Sequence, residues 1–240
     1  MFKKITLTQI VGFGIWLLAL LVYIYSACRT NPGYADSDEI ITAGYLGGSA
    51  HPSGYPLLMV LVHLISRLPI PGTVAFRVNI FNSLLHSLTV AVIYIIGLQL
   101  IKLLPKFTDN KDEKSKKQAE IIAIIAAAAG SLILAFSALF WLYAGVAEVG
   151  PLNDLLASLA ILTALKWRET TLHLRELHKK ERLWFFSTIV LVGLGLSHVH
   201  TFVLLLPGFA LILIMTLLKP GIWEKYGFKK IALGIGLFFV

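Results

Sequence analysis

Charge is scarce in this chain. Only 14% of its 240 residues are Asp, Glu, Lys or Arg, against 57% hydrophobic, and the mean hydropathy is +0.80. Soluble domains carry about 25% charged residues. A water-soluble fold of this length could not hide so much apolar surface, so an integral membrane protein is implied. Cysteine is scarcer still. Cys28 stands alone, which excludes an intramolecular disulfide and supplies no cysteine metal motif. Internal repeats, low-complexity tracts, a P-loop, a glycine-rich dinucleotide turn and a zincin helix are all missing. The net charge of +8 invites a nucleic-acid reading, but its distribution along the chain argues against one, and no nucleic-acid partner is expected.

What the chain has is a series of apolar runs. Lys3 and Lys4 precede the run from Ile10 to Ile24 in the manner of a secretory leader. The candidate cleavage site Tyr25-Ser26-Ala27 lacks a small residue at its first position, and Tyr25 also suits a lipoprotein signal at Cys28 poorly. Because further spans follow, the first run reads as a retained helix. Six segments emerge, roughly 7–27, 74–101, 119–143, 151–167, 183–198 and 201–218, with a seventh starting near Ile231. Lengths near 20 residues match a bilayer core. The segments 151–167 and 183–198 are short, either tilted or not fully crossing. Gly130, Ser131, Gly193 and Gly195 are small residues that permit close helix approach.

Orientation follows from Lys and Arg. With the N-terminus cytoplasmic, the inner segments 1–6, 102–118, 166–182 and 219–230 hold 18 of the 21 basic residues, leaving Arg29, Arg67 and Arg77 outside. Tyr23, Tyr25, Trp141, Tyr143, Trp167, Trp184 and Trp223 fall near span ends, as an aromatic belt requires. The inner loops read as solvated or lipid-facing basic linkers. The first outer loop, Cys28–Gly72, is different, being neither polar nor disordered in composition. Asp38–Leu46 and Tyr55–Leu68 read as two helices on the membrane surface, broken by Gly47-Gly48 and by prolines.

This topology gathers four polar groups on the outer face. They are Asp36 with Asp38 and Glu39; His51 with the turn Pro52 to Pro56; Glu148; and His198 with His200. Each has a plain structural alternative. Asp36 and Glu39 are spaced as a capping box. Glu148 stands just before Pro151 at a helix start, where an acid is favoured. The two histidines could be ordinary interfacial residues, or could join Glu148 or Asp36 in holding a divalent metal. Arg77 could be a snorkelling anchor. The chemistry open to such a set is specific. A carboxylate can serve as general base on a hydroxyl. A nearby Arg or His can stabilise a departing phosphate. Together these describe glycosyl transfer from a lipid-phosphate sugar whose tail stays in the bilayer.

The stretches Asp36-Ser37-Asp38-Glu39-Ile40-Ile41-Thr42-Ala43, His51-Pro52-Ser53-Gly54-Tyr55-Pro56-Leu57 and Ala75-Phe76-Arg77-Val78-Asn79 resemble the family catalogued as domain of unknown function 2723. That family includes the transmembrane-protein-260-like protein O-mannosyltransferases of the GT-C superfamily. Ala147-Glu148-Val149, Leu152-Asn153, Gly195-Leu196-Ser197 and His200-Thr201 agree with it, so the resemblance covers about residues 29–206. It implies an all-α, GT-C-type multispan bundle, and here a single N-terminal membrane module over 1–240, cut short at its C-terminus inside an apolar run.

The resemblance also implies a polyprenyl- or dolichyl-phosphate sugar donor, with mannose expected, and a hydroxyl acceptor on a protein Ser or Thr or on a glycan. Asp36 is the expected general base, and Glu39 orients it or the acceptor. Arg77, His51, His198 and His200 are candidates for the donor phosphate, and Glu148, which matches a motif position, is a candidate for binding the substrate or donor. The family usually has Gly where this chain has Asp38; the extra carboxylate could share the base role or recruit a divalent metal, although no resident metal site is assigned. Ser53 replaces a usual proline, and Gly150 a common aromatic. The expected location is a bacterial inner membrane, or the endoplasmic reticulum membrane in a eukaryote. Two other classes stay open. One is a transporter or lipid-binding module, with His86 within the second span as its buried relay. The other is a metal-dependent hydrolase built on His198, His200 and an acid.

Overall fold

The computed structural model describes residues 5–33, 35–104, 112–173, 179–219 and 222. Among these the structure is all-helical, in two compact units, Met1–Leu155 and Leu156–Val240.

In the first unit, Thr6 starts α1 (Leu7–Ser26) with a capping box. Its hydroxyl accepts from the Gln9 N–H at 3.3 Å, and the Gln9 side chain accepts from the Thr6 N–H at 3.0 Å. Then come α2 (Ser37–Leu46) and α3 (Pro56–Ser66), at the places expected for the two loop helices. Gly47 ends α2 in the left-handed conformation at φ 75°, and Pro56 opens α3 at its first turn. Next is α4 (Val74–Lys102), capped by Thr73, whose hydroxyl accepts from Phe76 N–H at 3.0 Å. It is followed by α5 (Glu113–Ala135) and the short α6 (Ala138–Ala144).

The most buried of the long apolar helices is α4. It packs chiefly against α1 and α5, around a core of Ile15, Ala19, Tyr23, Val90, Tyr94 and Ala127. A Cβ added at Gly97 would stand 3.2 Å from that of Ala127, so small residues set the α4–α5 spacing.

Among the described residues four helical stretches are long and apolar enough to cross a membrane: Leu7–Ser26, Val74–Lys102, Glu113–Ala135 and His200–Leu217. The chain is a membrane protein on this ground. The segments 151–167 and 183–198 do form helices, α7 (Gly150–His173) and α8 (Lys179–His198), but both fall outside those four. The seventh segment, near Ile231, lies outside the described residues. The expected third span, 119–143, breaks at Phe136-Ser137 into α5 and α6. The carbonyl of Ala135 freed there accepts the Tyr23 hydroxyl at 2.8 Å. Tyr23 is therefore a wholly buried core residue and not part of an aromatic belt, and Trp167 is buried at 4% exposure. Tyr25, at 84% exposure, faces outward as expected. Trp223 lies outside the described residues.

In the second unit α7 continues from the first and is followed by α8, a 3₁₀ helix His200–Leu205, and α9 (Leu206–Leu217). Trp167, Leu217 and Ile222 form its core, with Trp184 and Phe185 against them. Of the small residues expected at helix contacts, Gly195 lies against the Phe202 ring, whereas Gly130 and Gly193 have open space.

Candidate functional site

The site grows from a short irregular segment between α6 and α7. Its backbone carbonyls are taken one after another by other elements. Ala144 O accepts from the Ser83 hydroxyl at 2.7 Å, and Gly145 O from the Cys28 N–H at 3.0 Å. Val146 O and Glu148 O both accept from the Asn82 amide, at 2.7 and 3.1 Å. Ala147 O accepts from the Ser37 hydroxyl at 2.8 Å. His86 continues the series. Its Nδ1–H donates to Phe140 O at 3.0 Å, its ring stacks on Phe140 at 3.9 Å, and its Nε2 lies 3.3 Å from Asp154 Oδ2. Buried carbonyls without partners are costly, so these side chains on α4 and α2 hold the segment and aim Glu148.

Glu148 is 9% exposed. Its Oε1 accepts from the backbone N–H of Asp36 at 3.2 Å, and its Oε2 from Val149 N–H at 3.3 Å. Burial pushes its carboxyl above the usual range, opposed by those hydrogen bonds. Glu148 thus docks on the start of α2, where Asp36 is the N-cap residue.

The capping-box alternative for Asp36 and Glu39 does not hold, because Asp36 makes no side-chain cap bond. Glu39 reaches His51 instead. Its Oε1 accepts from the His51 backbone N–H at 2.6 Å and its Oε2 from Nδ1–H at 2.7 Å. This contact holds Glu39 below the usual carboxylate range and raises His51 above the usual imidazole value. On the far side of the ring, Nε2 lies 2.9 Å from the Tyr55 hydroxyl and 3.7 Å from Asp36 Oδ2. Burial, reinforced by the nearby carboxylates, pushes the Tyr55 phenol up.

Asp36, Glu39, His51 and Glu148 therefore converge. Asp38 does not join them, since it is exposed and its Oδ1 accepts from Gly33 N–H at 3.1 Å. Arg77 is occupied elsewhere. Nε donates to Ile70 O at 2.8 Å, Nη1 to Ser66 O at 2.8 Å and Nη2 to Gly72 O at 3.3 Å. It fastens the turn between α3 and α4 through these three contacts. His198 and His200 belong to the second unit. There His198 is wholly buried at the end of α8, while His200 is exposed at the start of the 3₁₀ helix. Among the described residues no group of three or more His, Cys, Asp or Glu is placed to hold a metal ion. The hydrolase alternative has no such group to build on there.

Sequence reasoning missed Tyr55, Ser37, Asn82 and Ser83. A trace of α4's role was visible: Asn79, Asn82, Ser83 and His86 interrupt an apolar span at helical spacing and so share a face.

Comparison with known proteins adds the family. The model of the protein O-mannosyl-transferase TMEM260 N-terminal domain matches residues 36–220. The Mus musculus protein O-mannosyl-transferase TMEM260 is 31% identical over 183 residues, covering 76% of this chain and 22% of its own length. The Dictyostelium discoideum protein O-mannosyl-transferase tmem260 is 22% identical over 230 residues, covering 92% of this chain and 25% of its own length. The chain thus spans about a quarter of the length of these curated relatives. No solved structure matches it.

Proposed function

The chain belongs to the family of TMEM260 protein O-mannosyl-transferase N-terminal domains, and from that premise we propose that it carries the base-bearing site of a membrane O-mannosyltransferase. The donor is a polyprenyl- or dolichyl-phosphate mannose, the acceptor a Ser or Thr hydroxyl of a protein, and the reaction takes place at the outer or luminal face. Asp36 takes the proton of the acceptor hydroxyl as its oxygen bonds to the anomeric carbon. The bond from that carbon to the phosphate oxygen breaks, and the lipid phosphate leaves with the electron pair. The sugar is inverted in this single displacement, and Asp36 returns its proton to water.

One observation carries the choice of Asp36. Three carboxylates meet at the site, and two are engaged: Glu39 on His51, and Glu148 on the Asp36 and Val149 N–H groups. The Asp36 carboxylate accepts no hydrogen bond from the described residues, its nearest charged neighbour being His51 at 3.7 Å. A base must be open to its substrate. His51, its proton held by Glu39, supplies positive charge close to the departing phosphate.

The test is transfer by membranes carrying the full-length protein, given radiolabelled polyprenyl-phosphate mannose. Asp36→Asn is expected to lower label incorporation by about 10²–10⁴-fold with membrane insertion unchanged. Full activity of that variant removes the assignment. Label arriving on a glycan would keep the reaction and change the acceptor.

A further inference from the structure

The backbone at Tyr55 is held in a conformation that bulky residues rarely adopt, with φ 44° and ψ 53°. The residue is buried, at 8% exposure. Such backbone persists only where its surroundings over-determine it, and it clusters at functional sites. Here the conformation delivers the side chain to His51. The hydroxyl lies 2.9 Å from Nε2, and the two rings meet edge to face at 5.3 Å and 86°. Glu39 holds the opposite nitrogen at 2.7 Å. Asp36 Oδ2 stands 3.7 Å from the same Nε2, beyond hydrogen-bond length. Two groups compete for one nitrogen, and the phenol has it.

We propose that Tyr55 is a positioning residue that holds the His51 ring off the Asp36 carboxylate, leaving that carboxylate open to the acceptor hydroxyl. The inference rests on Asp36 being the base. The titratable groups facing His51 are Glu39 from α2, Asp36 at its N-cap, Glu148 from the segment before α7, and Tyr55 at the N-cap of α3. Three are acids, and Tyr55 is the neutral member. With the phenol oxygen gone, an imidazolium Nε2–H turns to the nearest carboxylate, Asp36. A closed ion pair there occupies the oxygen that must accept the substrate proton and lowers its basicity.

Tyr55→Phe keeps the ring and removes the oxygen. In the full-length protein, kcat is expected to fall on the order of tenfold, the size of one lost hydrogen bond, with KM little changed. The His51 imidazole, followed by NMR on ¹⁵N-histidine-labelled protein, is expected to titrate at higher pH than in wild type. Adding Asp36→Asn should reverse that rise. A phenol that merely fills space would leave the titration where it was, and an unmoved His51 midpoint overturns the proposal. Unchanged kcat overturns it as well. Should Tyr55→Phe fail to fold, 3-fluorotyrosine at position 55 keeps the shape and alters the hydrogen-bonding strength of the phenol; the His51 midpoint must then move, and an unmoved one overturns the proposal. The titration is independent of transfer, so an active Asp36→Asn enzyme would remove the base while leaving the Tyr55–His51 coupling to be read.

Discussion

Glu39 and His51 form the pair at the site whose charge state can be set from outside. The His51 value is raised, first by the Glu39 hydrogen bond, and the Glu39 value is lowered by the same contact. The raised imidazole stabilises the fold fully below its ordinary value and loses that contribution as pH rises through the raised one. The lowered carboxylate contributes above its ordinary value and loses it as pH falls through the lowered one. The pair therefore supports the loop in the window between. Glu39→Gln is expected to lower the His51 value and to flatten both limbs of a melting-temperature profile, and a profile identical to wild type would remove the pair. Glu148 works in the opposite sense. Burial raises its value, so its charged form at neutral pH costs stability, and the fold gains on acidification through that value. Glu148→Gln still accepts from the Asp36 N–H and is expected to melt no lower than wild type at neutral pH while transferring more slowly. A large drop in melting temperature would contradict this. At this scale the sequence named side chains that the structure brings together, but not what each of them contacts. Asp36, Glu39, His51 and Glu148 were all legible as polar residues on one face. Which carboxylate stays open depends on the turn at Tyr55, whose left-handed backbone no residue pattern announces.

At the scale of elements, α4 and the α2–α3 pair do the positioning. Asn82 alone satisfies two carbonyls of the segment that ends in Glu148. Asn82→Ala strands both and is expected to cost about 1–3 kcal/mol in denaturant unfolding, with a loss of transfer although no substrate contact is removed. Wild-type stability would mean the segment is held by its other partners. Gly44 of α2 lies against Val62 of α3, where an added methyl would collide, and its carbonyl accepts from His63 Nδ1–H at 3.0 Å. Gly44→Ala is expected to cost about 1–3 kcal/mol by overpacking, and Val62→Ala to recover part of it in the double variant. Additive losses would place the strain elsewhere. Both loop helices were readable from their apolar runs and from the Gly and Pro that bound them. The break of the third span was not, because Phe136 and Ser137 carry no strong breaker; the partner that satisfies the freed carbonyl, Tyr23, is remote in sequence.

At the scale of the whole molecule, hydropathy and charge give different numbers of crossings. Among the described residues four helical stretches qualify by length and apolarity. If only those four crossed, the segment 166–182, with Lys166, Arg168, Arg175, Lys179, Lys180 and Arg182, would face outward together with the carboxylate site. That reverses the rule that basic loops stay on the cytoplasmic side. If α7 and α8 also cross, the segment returns inside. Their lengths allow it: 24 and 20 residues rise about 36 and 30 Å at 1.5 Å per residue, enough for a hydrocarbon core. Their lower hydropathy has a local cause, since the basic residues sit at the ends that would reach the inner surface, where long side chains snorkel. Cysteine accessibility in intact cells decides between the two. In a Cys28→Ser background, a cysteine at Lys180 is expected to resist an impermeant maleimide until the membrane is opened, while a cysteine at Asp38 reacts from outside at once. Immediate labelling at position 180 would establish the four-crossing arrangement and put the basic segment on the outer side of the membrane.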